Sequence, residues 1–275
     1  FGGRVENDAL ARWAAIGMVA GSLAQFTIQL PSVFRLLGRL RPSLSVKRPG
    51  VRDVLRNFVP AVLSRGVVQI SAWLDNAYAS LITERALAAL TNAQTLSLLP
   101  ISLFGMAVSA AELPELSAEA ARGAEDRSAA LRERISLGLQ RIAFFVVPSA
   151  AAFLFLGEQL AGLFQRGLFT ARDARYVWYL LIAASVGLLS QTMGRLYASA
   201  FWALKDVRTP LKIAALRVAL GAGLGYFAAR VLPGKLGVPA ELGAAFLTAT
   251  TGLVAFLEYT LLRRALRRSI GDVGL

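Results

Sequence analysis

Residues 136–164 read SLGLQRIAFFVVPSAAAFLFLGEQLAGLF, and from Ile142 to Gly157 they carry no charged side chain. A helix that crosses lipid needs about 20 mainly apolar residues at 1.5 Å rise each, and this stretch exceeds that length. Six more stretches do the same, at approximately 11–36, 58–83, 88–116, 174–204, 211–231 and 240–262. Only helices or closed barrels satisfy every backbone group in hydrocarbon, and none of these stretches shows the apolar/polar alternation of a barrel strand. The expected fold class is therefore all-α, a polytopic integral membrane bundle of about seven transmembrane helices. Composition agrees. Of the 275 residues 56% are hydrophobic, against roughly 45–50% apolar in an ordinary soluble domain.

Cysteine and histidine are both absent. That excludes a disulfide framework, a Cys/His metal site and a histidine base, so no catalytic residue and no metal site are assigned. The first apolar stretch is too long for a signal peptide, lacks a small-residue cleavage site and follows the acidic Glu6-Asn7-Asp8. The chain opens on Phe1-Gly2-Gly3 without methionine and reads as a piece of a longer protein.

A net charge of +13 raises the question of nucleic acid, and the placement of the 30 Lys and Arg residues answers it. Alternate connectors hold most of them: seven from Arg35 to Arg56, five from Arg122 to Arg141, then Lys205, Arg208 and Lys212, then Arg263, Arg264, Arg267 and Arg268. The opposite connectors hold only Arg4, Arg12, Arg85, Arg166, Arg172, Arg175, Arg230 and Lys235. By the positive-inside rule the richer set is cytoplasmic. The charge therefore reports topology, with anionic membrane lipids as expected partners and no nucleic acid. The basic connector at 38–57 is expected to lie along the membrane surface. The connector at 118–134, with alternating charge, is expected to be a solvated helical extension.

Polar groups inside the apolar stretches are the candidates for function, because lipid penalises them unless they face a cavity or a partner. In the second stretch Arg65, Gln69, Asn76, Ser80 and Thr83 share one helical face at 100° per residue, with Asp75 beside them. Asp75 is the candidate for a cation or proton site; the alternative is a structural ion pair with Arg195 or Arg217. In the third stretch Thr91, Thr95, Ser102 and Ser109 form a weaker stripe, although hydroxyls in membrane helices often bond their own backbone. Pro100 removes a backbone hydrogen bond in mid-stretch and is the candidate hinge. Gly17 with Gly21, and Gly221 with Gly225, read as small-residue pairs that let helices approach.

Several motifs occur in a fixed order. They are Gln25 with Gln29-Leu30-Pro31; Val68-Gln69-Ile70-Ser71 through Asp75 to Ala79-Ser80; Leu99-Pro100-Ile101-Ser102-Leu103-Phe104-Gly105-Met106; Leu113-Pro114; Leu163-Phe164-Gln165-Arg166-Gly167-Leu168-Phe169-Thr170; and Ala203-Leu204-Lys205-Asp206-Val207-Arg208-Thr209-Pro210. Together they resemble the MurJ/MviN lipid II flippases of the multidrug/oligosaccharidyl-lipid/polysaccharide transporter superfamily. The resemblance implies a fourteen-helix transporter whose two bundles rock about a cationic cavity, with this chain covering about spans six to twelve. Residues 1–57 would then be the sixth span and a basic cytoplasmic connector, and 58–275 six further spans. It also implies the bacterial inner membrane as location, a lipid-linked cell-wall precursor as cargo, and other cell-wall synthesis proteins as partners. No cofactor is implied beyond coupling to Na+ or H+. Arg65, Gln69, Asn76 and Thr95 would line the substrate cavity, and Asp75 would sense the coupling ion.

The chain departs from the family at two charged positions. Members usually read Tyr-Ala-Asp-Arg-Leu before the proline, with a Glu two residues ahead of it; here Ala93-Gln94-Thr95-Leu96 and Leu98 stand there. Glycines at 221 and 225 stand where members place polar ion ligands. A flippase is the leading expectation. A degenerate, non-transporting paralogue that serves as an interaction or regulatory subunit is the alternative. An enzyme acting on lipid-linked sugars is disfavoured because no acid/base pair of carboxylates stands out.

Overall fold

The computed structural model describes residues 7–37, 58, 62, 66, 69–121, 124–163 and 169–271. The chain divides between Arg52 and Asp53 into two units. In the first, α1 (Asn7–Leu37) is a single helix containing Pro31. It is long and apolar enough to cross a membrane. The basic connector at 38–57 and the candidate Arg65 lie outside the described residues.

The second unit is a helical bundle. Residues 69–80 form α2. A long rod follows, built from α3 (Glu84–Pro100), a π-helical segment (Ile101–Met106) and α4 (Ala107–Ala120). Then come α5 (Ala124–Gly162), α6 (Ala171–Ala203) and α7 (Arg208–Tyr226). A second π-helical segment (Phe227–Val231) and the short α8 (Leu232–Leu236) extend α7, and a 3-10 turn (Ala240–Leu242) leads into α9 (Gly243–Ile270). Six helices or rods among the described residues are long and apolar enough to cross a membrane. The stretch at 58–83 is described only in part.

Helix α6 is the axis of this bundle. It packs against α3, α4, α5 and α9, and its Leu180, Leu181, Leu188, Leu196 and Tyr197 are fully buried. Close approach comes from single glycines opposite each other. A Cβ on Gly252 would sit 2.9 Å from the Gly187 nitrogen, so α6 and α9 touch through their backbones. Gly105 and Gly138 instead make room for side chains of α6, those of Thr192 and Leu196. The pairing read from sequence is half right: Gly225 faces Leu247 and Tyr78, whereas a Cβ on Gly221 would meet open space. Outward faces are apolar, as at Trp73, Phe144 and Phe155.

The two ends of the bundle are tied differently. At the end holding Glu84, Ala171 and Gly243, Asp173 closes a capping box with Thr170 and pairs with Arg85 at 2.7 Å. Arg175 pairs with Glu158 at 3.1 Å, and the Tyr176 hydroxyl donates to the Glu241 carbonyl. At the opposite end, Glu112 is buried and accepts from Arg134 at 3.3 Å and Arg141 at 3.1 Å. The extension at 118–134 is helical over its described residues, apart from the turn at Ala121. It is not solvated throughout, since Glu119, Leu131 and Leu116 beside it are buried.

Candidate functional site

The polar groups of α2 are drawn together with groups on α7 and α9. Asp75 is half-buried, and its Oδ1 accepts a hydrogen bond from the Thr251 hydroxyl of α9 at 3.3 Å. One turn along α2, the Tyr78 hydroxyl donates to the Ala222 carbonyl of α7 at 3.1 Å, and its ring meets Tyr226 edge to face. Helices α7 and α9 are joined in turn by Arg217, which donates to Glu258 at 2.7 Å with both side chains about four-fifths buried. The ion pair of Arg217 is with Glu258. The alternative of an ion pair between Asp75 and Arg217 is thus not realised: Asp75 meets a neutral hydroxyl, and the arginine is compensated by Glu258.

This arrangement follows from backbone geometry. Gly252 follows Thr251 and brings α9 against α6, which sets the height and rotation at which the Thr251 hydroxyl meets α2. Gly225 gives the Leu247 side chain of α9 room against α7, with the Tyr78 ring at ordinary contact distance. An ionised carboxylate in hydrocarbon needs such partners, because the cost of taking it out of water exceeds what one weak bond returns. Asp75 has such a partner in the Thr251 hydroxyl.

The other candidates are not gathered into this level. Asn76 is half-buried, and its Oδ1 is buried with no hydrogen-bond partner among the described residues. Gln69 is exposed. On α3, Thr95 is exposed and donates to the Thr91 carbonyl at 2.9 Å, Thr91 donates to Leu87, and Ser102 donates to Leu99. These hydroxyls are satisfied within their own helix. Leu98 is exposed. Pro100 is buried, and the helix does not break there but widens into the π-helical turn at Ile101–Met106. A π-helical turn accommodates an extra residue and often marks a functional bend.

Sequence reasoning missed Thr251 and Glu258. Glu258 had a legible signal, since a carboxylate inside an apolar stretch is a functional candidate by default. Thr251 had none, because it sits in a run of small and hydroxyl residues that reads as ordinary packing.

Comparison with known proteins gives a consistent result. The family model for the lipid II flippase MurJ matches residues 2–273. The lipid II flippase MurJ of Burkholderia cenocepacia is 31% identical over 271 residues, 96% of this chain and 49% of that protein. The probable lipid II flippase MurJ of Vibrio cholerae is 29% identical over 257 residues, 92% of this chain and 46% of that protein. The chain spans about half the length of these curated relatives. Among solved structures, a lipid II flippase MurJ in an inward closed conformation matches 92% of this chain and 50% of its own, with a TM-score of 0.67 and 21% identity. That likeness speaks for the fold.

Proposed function

The chain belongs to the lipid II flippase MurJ family, and on that premise we propose that it forms part of a flippase for an undecaprenyl-pyrophosphate-linked cell-wall precursor. The family match across residues 2–273 carries this reading. In it the protein lies in the bacterial inner membrane with its arginine-rich end in the cytoplasm. Cargo moves by alternating access: the anionic headgroup enters a polar cavity while the prenyl tail stays in lipid. Gln69, Asn76 and Thr95 face that cavity, and the π-helical turn after Pro100 is where α3 and α4 bend.

Asp75 is the coupling residue. Its carboxylate and the Thr251 hydroxyl stand at a junction of three helices, while Gly221 and Gly225 add no side-chain oxygen to a metal shell. A proton suits this donor set better than Na+, since a carboxyl needs one hydrogen-bond partner to be stable in either state, whereas a metal cation needs several oxygens. Binding or loss of that proton would change the attraction between Asp75 and Arg217, and so the fit of α2 against α7 and α9.

A second reading has its own observation: the charges that family members carry at Thr95 and Leu98 are absent, and both side chains are exposed and uncharged. It makes the protein a non-transporting interaction subunit. Complementation of a flippase-depleted bacterium by the full-length gene separates the two. Growth is expected, with loss of growth for Asp75→Asn at unchanged membrane level. Failure of the wild-type gene despite normal insertion would remove the transport reading, and full growth with Asp75→Asn would remove the coupling role alone.

A further inference from the structure

Helices α2 and α9 meet at Asp75 and Thr251, and what ties them together lies toward the end of the bundle that holds Glu84 and Gly243. There the Arg230 guanidinium donates to the Leu81 carbonyl at 2.7 Å, across 149 residues of sequence. Leu81 follows directly on α2. The last carbonyls of a helix have no partner within it, and near lipid a bare carbonyl is costly. A cation at the end of a membrane helix ordinarily extends to the headgroups. Arg230 instead caps α2, placing positive charge at the negative end of that helix.

The local shape of α7 aims this side chain. Tyr78 of α2 donates to the Ala222 carbonyl and has its ring beside Gly225, so α7 faces α2 along this stretch. In a regular helix Arg230, five residues after Gly225, would be turned about 140° away from it. The π-helical segment Phe227–Val231 intervenes, and at its end the Leu232 amide donates to the Phe227 carbonyl five residues back. Bonding at that spacing brings residues five apart toward one face, which turns Arg230 to α2. The preceding Ala229 carbonyl meets α9: a Cβ on Gly243, the first residue of α9, would overlap that oxygen and stand 3.1 Å from Ile82 in the turn after α2. One turn of α7 thus touches the end of α2, the turn that follows it and the start of α9.

We propose that Arg230 is a positioning residue for Asp75: its cap on α2 holds that helix at the height where the carboxylate meets Thr251. Leu81 is six residues from Asp75, about 9 Å along α2, so the cap touches neither Asp75 nor Thr251. It acts through the helix. The hydrogen bond it protects is 3.3 Å long, already beyond the usual range for a hydroxyl donor, and a slip of α2 by a fraction of a residue breaks it. The consequence for transport rests on the reading of Asp75 as the coupling residue.

The test is a double-substitution cycle on the full-length protein in detergent, read by denaturant unfolding. Thr251→Val alone should lower the ratio of folded to unfolded protein about fivefold, the worth of one hydrogen bond. In the Arg230→Gln background it should lower that ratio less than about twofold, because the bond to Asp75 is already lost. Arg230→Lys keeps a charged donor and should restore most of the fivefold effect. Lys235→Gln is the control: Lys235 stands over the Phe227 ring at 5.4 Å, and its loss should leave the fivefold effect whole. Arg230 is exposed, so glutamine leaves neither a void nor a buried charge there. Additive effects of Thr251→Val and Arg230→Gln would overturn the proposal, by making Arg230 a cap and nothing more. Loss of the fivefold effect in the Lys235→Gln control would overturn it as well. The cycle needs no transport, so it decides the role of Arg230 even where the wild-type gene fails to complement. In a strain that the wild-type gene rescues, Arg230→Gln should lose growth as Asp75→Asn does, at unchanged membrane level, and Arg230→Lys should keep it. Wild-type growth of Arg230→Gln beside lost growth of Asp75→Asn would also overturn the proposal.

Discussion

Two polar faces of this bundle look alike on a helical wheel and are built differently. On α2, Asp75 and Tyr78 reach across to α9 and α7, and Arg217 closes the third side by pairing with Glu258. On α3, Thr91, Thr95 and Ser102 donate to carbonyls of their own helix and meet no side-chain partner from another element among the described contacts. Polarity along one helix is therefore only potential. It becomes a site where a second helix arrives at the matching height with a donor or an opposite charge.

Substitutions can break or sharpen this contrast. The largest effect is expected from Arg217→Met, which leaves Glu258 largely buried without its partner and should destabilise the protein by about 3–5 kcal/mol. Thermal unfolding in detergent measures this, and adding Glu258→Gln should recover most of the loss. Next comes Gly252→Val, whose side chain meets the Gly187 backbone. Overpacking there should cost about 1–3 kcal/mol, and Asp75→Asn should then cost less than it does in the wild type, because α9 has already carried Thr251 away. Thr251→Val removes one hydrogen bond to Asp75, worth about 1 kcal/mol, read from the same unfolding curves. Smallest is Thr95→Val. Its hydroxyl is satisfied locally, so stability should change by less than about 0.5 kcal/mol. If Thr95→Val proved as costly as Arg217→Met, the two faces would be equivalent and the contrast would fail.

Much of the fold was legible before any coordinates. The apolar stretches, their rough ends and the helical class follow from length and hydropathy, and the α6 capping box has its Thr170 and Asp173 three residues apart as such boxes require. The site was legible in part. Asp75 could be singled out because a carboxylate in an apolar stretch is rare. Its partner could not, because Thr251 lies 176 residues away and is one of several hydroxyls that satisfy a wheel equally well. Arg217 was visible as a buried cation, yet whether it would meet Asp75 or Glu258 depends on the relative height of α7 and α9. The glycine contacts show the same limit. Gly221 and Gly225 form the expected spacing but only Gly225 meets a close neighbour, while Gly187 and Gly252, neither of them four residues from another glycine, bring α6 and α9 into backbone contact.

The sequence alone thus determined that the chain crosses a membrane as helices, which end carries the excess positive charge, and which few polar groups lipid would penalise. Those properties are local, since each depends on residues within one helix and its immediate flanks. Tertiary structure alone decided that Asp75 meets a hydroxyl, that Arg217 meets Glu258, and that Thr95 stays with its own backbone. These depend on helix height and rotation, which backbone contacts such as Gly187 against Gly252 set, and a displacement of one residue, 1.5 Å and 100°, would change every partner.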